Sequence, residues 1–206
     1  MLRFPVRAKT LAQLKQLSEP QAVAGGTSEA IPWVFYDTQT YVDNTTVNLQ
    51  YFTQTPANRN LGNLNPAGSL PEPQYFEIYS FNMDVIQAAS STTAWTDLNQ
   101  LLTGPTGNGG PIFTFSLADK NYGPWPLTYL HGSGGITGFG LGPAAAAVEE
   151  YANNSIPDGA FWMDGALCIP PNQAFGATIA WQAPEDISGN LLIRVAMAGV
   201  LHRRVL

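Results

Sequence analysis

Positive charge is scarce in the middle of this 206-residue chain: between residues 16 and 193 only Arg59 and Lys120 are basic, against all fifteen carboxylates. The other seven basic residues lie at the ends, Arg3, Arg7, Lys9 and Lys15 at one and Arg194, Arg203 and Arg204 at the other. A body of about −13 is thus flanked by ends of about +7, within a formal net charge of −6. Such a split points to contact with a polyanion or an acidic neighbour and says little about fold. Charge of either sign is also low, 12% against about 25% in globular proteins. Asn, Gln, Ser, Thr and backbone must therefore cover most of the surface. That suits close packing against other protein, and equally a neutral, loop-rich β surface.

Cysteine is nearly absent. Cys168 alone excludes an intrachain disulfide and a multi-cysteine metal site, and within Ala-Leu-Cys-Ile it reads as a small buried hydrophobe. No run approaches the roughly 18 apolar residues of a membrane helix. The longest low-polarity stretch, 138–148, is broken by Gly and Pro, and the Leu11, Leu14, Leu17 pattern is too short and polar for a signal peptide. No membrane partner and no targeting signal are expected, and the sequons at Asn44 and Asn153 read as chance.

Catalytic signatures are missing as well. There is no G-x-S-x-G, and the two histidines are His131 and His202. His131-Gly132-Ser133-Gly134-Gly135 superficially resembles an oxyanion-hole loop but has no elbow serine beside it. The same glycines lack the Gly-Lys-Ser/Thr of a phosphate loop and the G-x-G-x-x-G spacing. Two separated histidines and one cysteine make no zinc set, and no Asp-x-Asp-x-Asp-Gly loop is present for calcium. Fifteen carboxylates could supply a glycosidase pair, yet nothing selects one. The expectation is a protein that is not an enzyme, with no cofactor and no metal.

What is present is β pattern behind a distinct beginning. Leu11, Leu14 and Leu17, with Lys15 and glutamines opposite, fit two turns of amphipathic helix over 10–17, stopped by Pro20. Residues 21–29, with Gly25, Gly26, Thr27 and Ser28, read as a flexible linker. The chain divides on this reading into a basic arm, 1–29, and one β-sandwich domain, 30–206. Strands are expected at 33–36, 47–52, 74–83, 112–117, 160–169, 174–181 and 191–201, seven or eight in all. In 112–117 the buried set is Phe113, Phe115 and Leu117. In 74–83 the alternation is imperfect, which suits a strand covered on both faces. Short helices are expected at 96–102, with Thr96 as N-cap and Gly104 past its end, and at 144–151. The Gly-rich stretch 132–142 reads as one loop. Of the five tryptophans, Trp125 between two prolines is the loop residue able to stack on a sugar or a neighbouring subunit, and Trp33, Trp95, Trp162 and Trp181 read as core.

These elements make an all-β fold, best a jelly-roll-type β-sandwich with a short N-terminal helical arm and long Gly/Pro-rich loops, a barrel being the other choice. The segment Met1 to Leu17, the strand entry Leu70-Pro71-Glu72-Pro73-Gln74-Tyr75-Phe76 and the closing strands from Pro170 to Leu206 together resemble the jelly-roll capsid proteins of icosahedral viruses, bacteriophages included. The likeness is one of architecture over most of the chain. It implies a virion structural protein, a capsid or capsid-associated subunit located in the virion, that self-associates as a homo-oligomer with copies of itself and other virion proteins. Arg3, Arg7, Lys9, Leu11, Leu14 and Lys15 are the expected contacts to neighbouring subunits, or non-specifically to packaged nucleic acid. The alternative is a carbohydrate- or receptor-binding β-sandwich module of a phage tail or adhesin.

Overall fold

The computed structural model describes residues 21–23, 26–87, 101–102, 104, 110–130, 136–140, 150–153, 161–187 and 189–205. The expected helix at 10–17 and Thr96 lie outside them. Among the described residues the chain forms β1 (Gln21–Val23), β2 (Gly26–Tyr41), β3 (Asn48–Tyr51), β4 (Tyr75–Gln87), β5 (Ile112–Leu117), β6 (Lys120–Pro126), a 3-10 turn at Leu127–Tyr129, β7 (Ile136–Gly140), β8 (Glu150–Asn153), β9 (Phe161–Ile169), β10 (Phe175–Ala180) and β11 (Leu191–Val205).

The strands build two main antiparallel sheets, β1-β2-β11-β4-β9 and β3-β10-β5-β6, with β7 and β8 forming a separate hairpin. The chain alternates between the main sheets. It passes from β2 to β3, back to β4, across to β5 and β6, back to β9, across to β10, and ends on β11. The fold is an all-β sandwich. Its core explains the alternation in sequence: Phe113 and Phe115 on β5, Ala177 and Ile179 on β10, and Leu191, Ile193, Val195 and Met197 on β11 all face inward at 2% exposure or less. Phe81 of β4 ties the layers, its ring 5.2 Å from those of both Phe113 and Phe115. At the far end Tyr41 packs edge-on against Trp181, centroids 5.0 Å apart. Trp181 Nε1 in turn donates to the carbonyl of Leu101 at 2.9 Å, and Leu101 and Leu102 are helical and buried.

β4 is not covered on both faces in the manner its imperfect alternation suggests. Ile78 pairs with Gly199 and Ser80 with Ala198, which leaves Tyr79 as an extra residue on β4. The extra residue resets the phase, so Phe76 and Ile78 face the core before it and Phe81 and Met83 after it. Gly199 is required at this bulge, since a Cβ there would sit 1.8 Å from the carbonyl oxygen of Glu77.

Four other expectations are corrected. Residues read as a flexible linker are strand: β1 pairs with the start of β2, which also pairs with β11 from Thr27↔Val205 onward, so a strand runs across the division drawn at residue 29. Backbone pairing overrides the Gly and Ser content there. Within the Gly-rich stretch, Ile136–Gly140 is a strand, with the irregularity between Ile136 and Phe139 falling at Thr137 and Gly138. Tyr151 belongs to its partner strand and not to a helix end. Trp125 lies in β6, half-buried, where it stacks on Phe113 at 6.0 Å and 22°. Gly104 does adopt the left-handed conformation expected past a helix end, φ 72°.

Candidate interaction surface

Arg3, Arg7, Lys9, Leu11, Leu14 and Lys15 lie outside the described residues, so their neighbours are not part of this structure. The basic residues of the last strand are described, and they are held. Arg194 projects from the outward face of the first sheet, where Nε donates to Thr38 Oγ1 at 3.1 Å, a terminal nitrogen donates to the Asn60 carbonyl at 2.8 Å, and the guanidinium lies 5.1 Å from the Tyr36 ring centre. Arg203 pairs with Glu29 across β2 and β11. The backbone of Arg204 pairs with Ser28.

Toward the end of β11 the outward face of the first sheet gathers aromatic and titratable groups. His202, 9% exposed, stacks on Tyr75 with ring centres 4.1 Å apart and planes 6° from parallel. Its Nε2 is 3.6 Å from Glu77 Oε1, and Glu77 Oε2 accepts from the Tyr79 hydroxyl at 2.6 Å. Desolvation first, and then the hydrogen bond to the Glu77 carboxylate, push the Tyr79 hydroxyl far above the ordinary phenol range. Cys168 faces the same carboxylate from β9, paired with Glu77, and is exposed where burial was expected. The strand pleat explains this, since Ile169 takes the inward position beside it. Partial burial of the thiol and the Glu77 charge raise its pKa, which suppresses the thiolate.

Two carboxylate residues are buried among the described residues, Asp37 and Glu185. Asp37, 4% exposed, accepts the Phe52 N–H at 2.6 Å and the Gln39 side-chain amide on both oxygens at 3.2 Å. Burial raises its pKa despite these bonds. The neighbouring Tyr51 hydroxyl is buried with no hydrogen-bond partner in the structure. The bonds hold Phe52 at φ 65°, an uncommon conformation for an aromatic residue, so Asp37 serves the chain reversal after β3.

Two exposed regions remain. The first is a ledge on the free side of β2, a shallow cavity of about 390 Å³ lined by Pro32, Trp33, Val34, Asn63, Ala198 and Gly199. Trp33 is 42% and Val34 45% exposed, so the tryptophan expected in the core is at the surface. Opposite it on β11 stands Gly199, which offers no side chain to cover the indole. Asn63 seals the adjoining strand edge, accepting the Tyr36 N–H at 3.0 Å and donating to the Val34 carbonyl at 2.7 Å. The second region is the outward face of the second sheet, where Asn48, Gln50, Ile112, Thr114, Ser116, Thr178 and Ala180 present no charge. Such a face presents little charge to be desolvated against a neighbouring protein.

Among the described residues no group of three or more His, Cys, Asp or Glu side chains is placed to hold a metal ion, and no helix is long and apolar enough to cross a membrane. His131, the other candidate for acid–base work, lies outside them. The class these features define is an all-β two-sheet sandwich, the outward face of one sheet carrying charge and that of the other carrying none. No family model, no curated protein and no solved structure matches the chain.

Proposed function

We propose that the sandwich is a jelly roll and that the protein is a virion structural subunit, a capsid or capsid-associated component that self-associates into a shell. The observation that carries this reading is the interleaved strand order. Four strands, β2-β11-β4-β9, face four others, β3-β10-β5-β6, and the chain shuttles between the sheets so that the last described strand, β11, lies beside the first long one, β2. An eight-stranded double sheet of this kind is an architecture that viral shells use. β1 is then an addition at one edge, and the β7–β8 hairpin an insertion between β6 and β9.

The uncharged outward face of the second sheet and the segregated charge of the chain support association with copies of itself. The basic residues Arg3, Arg7, Lys9 and Lys15 would meet acidic neighbours, with packaged nucleic acid as a secondary, salt-sensitive partner. Light scattering coupled to size exclusion, followed by negative-stain imaging, tests the reading. Regular particles or a defined oligomer are expected, and a monomer at all concentrations that forms no particles would refute it. Removing 1–16 should impair assembly more than folding.

A second reading has one observation in its favour. Jelly rolls also build lectins, and the exposed Trp33 indole is the kind of surface on which a sugar stacks. Glycan-array binding abolished by Trp33→Ala, from a subunit that does not assemble, would favour that carbohydrate-binding module.

A further inference from the structure

β4 begins at Tyr75, and His202 is the last residue of β11 that pairs with it. Beyond that point residues 203–205 pair with β2 alone, and residues 26–28 of β2 pair in turn with β1. A three-stranded ribbon thus continues past the end of β4. The ion pair within it, Arg203 with Glu29, is 51% exposed on the arginine, where water screens it and its worth is small. The side chain that fixes the root of the ribbon to the body is His202, where β11 meets β4.

We propose that His202 and Glu77 form a proton-operated clasp, which tightens the root of this ribbon when the imidazole is charged and loosens it when the imidazole is neutral. Glu77 Oε1 stands 3.6 Å from His202 Nε2, longer than a hydrogen bond, yet close enough for a protonated ring to draw it into a charge-assisted one. Tyr79 donates to Oε2 at 2.6 Å and so holds the carboxylate with Oε1 toward the ring. Tyr75 lies nearly parallel at 4.1 Å, and its π face attracts a charged imidazole more than a neutral one. Desolvation works against the charge, since the His202 side chain is 11% exposed. Glu77 at 26% keeps part of its hydration, so the pair escapes the full penalty of a buried one.

The other titratable groups around the ring are neutral near pH 7. On β4 burial and the Glu77 charge hold Tyr75 and Tyr79 as phenols, and on β9 the same two causes hold the Cys168 thiol protonated opposite Glu77. β2 sets Ala30 opposite His202, and Glu29 faces the other side of the ladder with Arg203. Arg204, opposite Ser28, is the next position of β11 on the side of His202. An ordinary histidine titrates at about pH 6.5, so the clasp closes on the acid side of neutrality and opens above it. This device is independent of whether the protein builds a shell.

The test is a double-mutant cycle in the full-length chain, with His202→Gln, Glu77→Gln and both together, read by urea unfolding at about pH 5.5 and about pH 8. Coupling between the two sites should shift the folding equilibrium by about 5-fold or more at the lower pH and by less than about 2-fold at the higher. Asp37 is intact throughout, so its own pH dependence cancels. Equal coupling at both pH values, or none at either, would overturn the proposal. Hydrogen exchange on the native sequence locates the effect without any substitution. Corrected for intrinsic rates, the amides of 203–205 should lose about 5-fold in protection between the two pH values while those of β5 stay within about 2-fold. An equal loss in both places would assign the response to the whole fold and overturn the clasp. Tyr79→Phe keeps the Glu77 charge and should retain the response at 203–205, and its disappearance there would take the response away from the His202–Glu77 pair.

Discussion

Alanine substitutions along β5 examine the sandwich one residue at a time, because neighbours on that strand face opposite ways. Phe113 and Phe115 are fully buried, the first against Phe81 and Trp125 and the second against Phe81, Tyr122 and Phe175, while Ile112 is 41% exposed and Thr114 half-buried. Truncating either phenylalanine removes its transfer free energy and leaves a cavity between two sheets that cannot close over it, at a cost of about 3–5 kcal/mol. That is a large part of the roughly 5–15 kcal/mol that stabilises a typical domain. Ile112→Ala and Thr114→Ala delete side chains that water already reaches and should cost about 1 kcal/mol or less. With m near 3 kcal/mol per molar urea, the unfolding midpoint should fall by about 1–2 M for Phe113→Ala and Phe115→Ala and by about 0.3 M or less for the other two. Equilibrium urea unfolding followed by tryptophan fluorescence and circular dichroism, with m compared across variants, reads this directly. A register displaced by one residue would invert the pattern. Ile112→Ala costing as much as Phe113→Ala, or both phenylalanines costing under about 1 kcal/mol, would refute the arrangement of β5 between the sheets.

Three further outcomes follow from the same geometry. Asp37 has a folded pKa above its ordinary 3.8, so its term favours the fold at pH below that value and is lost as pH rises through the folded pKa; Asp37→Asn, which keeps an acceptor for the Phe52 N–H, should flatten this loss in melts recorded across acid to neutral pH, and an unchanged profile would refute the assignment. Gly199→Ala must displace a Cβ 1.8 Å from the Glu77 carbonyl and so unseat the β4 bulge, whereas Gly176→Ala meets the Thr53 methyl at 3.3 Å and the Tyr51 carbonyl oxygen at 3.4 Å; the first should lower the melting temperature sharply and the second by a few degrees at most, and equal effects would contradict the bulge. Cys168 should alkylate with iodoacetamide at pH 8 more slowly than an unstructured cysteine, and Glu77→Gln should speed it, because burial and the Glu77 charge hold the thiol protonated; no change in rate on that substitution would remove Glu77 from the account.

Strands buried on one face were the readable part of this fold. β5 coincides with its expected span 112–117 and buries Phe113 and Phe115 as read, and β10 falls within 174–181, since a period of two with one buried face is written directly into residue type. Pairing written in the backbone was not readable. Residues 26–29 carry linker composition, yet their N–H and C=O groups complete β11, and the Tyr79 bulge broke a regular pattern into one that imitated two-sided burial. Trp125 and Trp33 exchanged fates for a related reason. The prolines flanking Trp125 lie on the edge strand β6, where they are tolerated, while Trp33 stands in a β-rich run at a place where the facing strand offers Gly199. Of the surface, the charge split was legible, but the ledge was not, because it depends on where β1 stops and Asn63 begins.

β11 lies at the centre of the larger sheet, between β2 and β4, and bonds to β2 along its whole length. The strand made last among those described is therefore the one that joins the earliest long strand to the rest, and until it arrives β2 and β4 each carry an unsatisfied edge. Folding is bound to be late and strongly non-local, with slow closure set by that one insertion. While the gap stands open it has the shape of a missing strand, and a β11 from another chain can fill it as well as the chain's own. High concentration during refolding will thus favour exchanged dimers and aggregates, and dilution or synthesis at a measured pace will favour the correct monomeric sandwich.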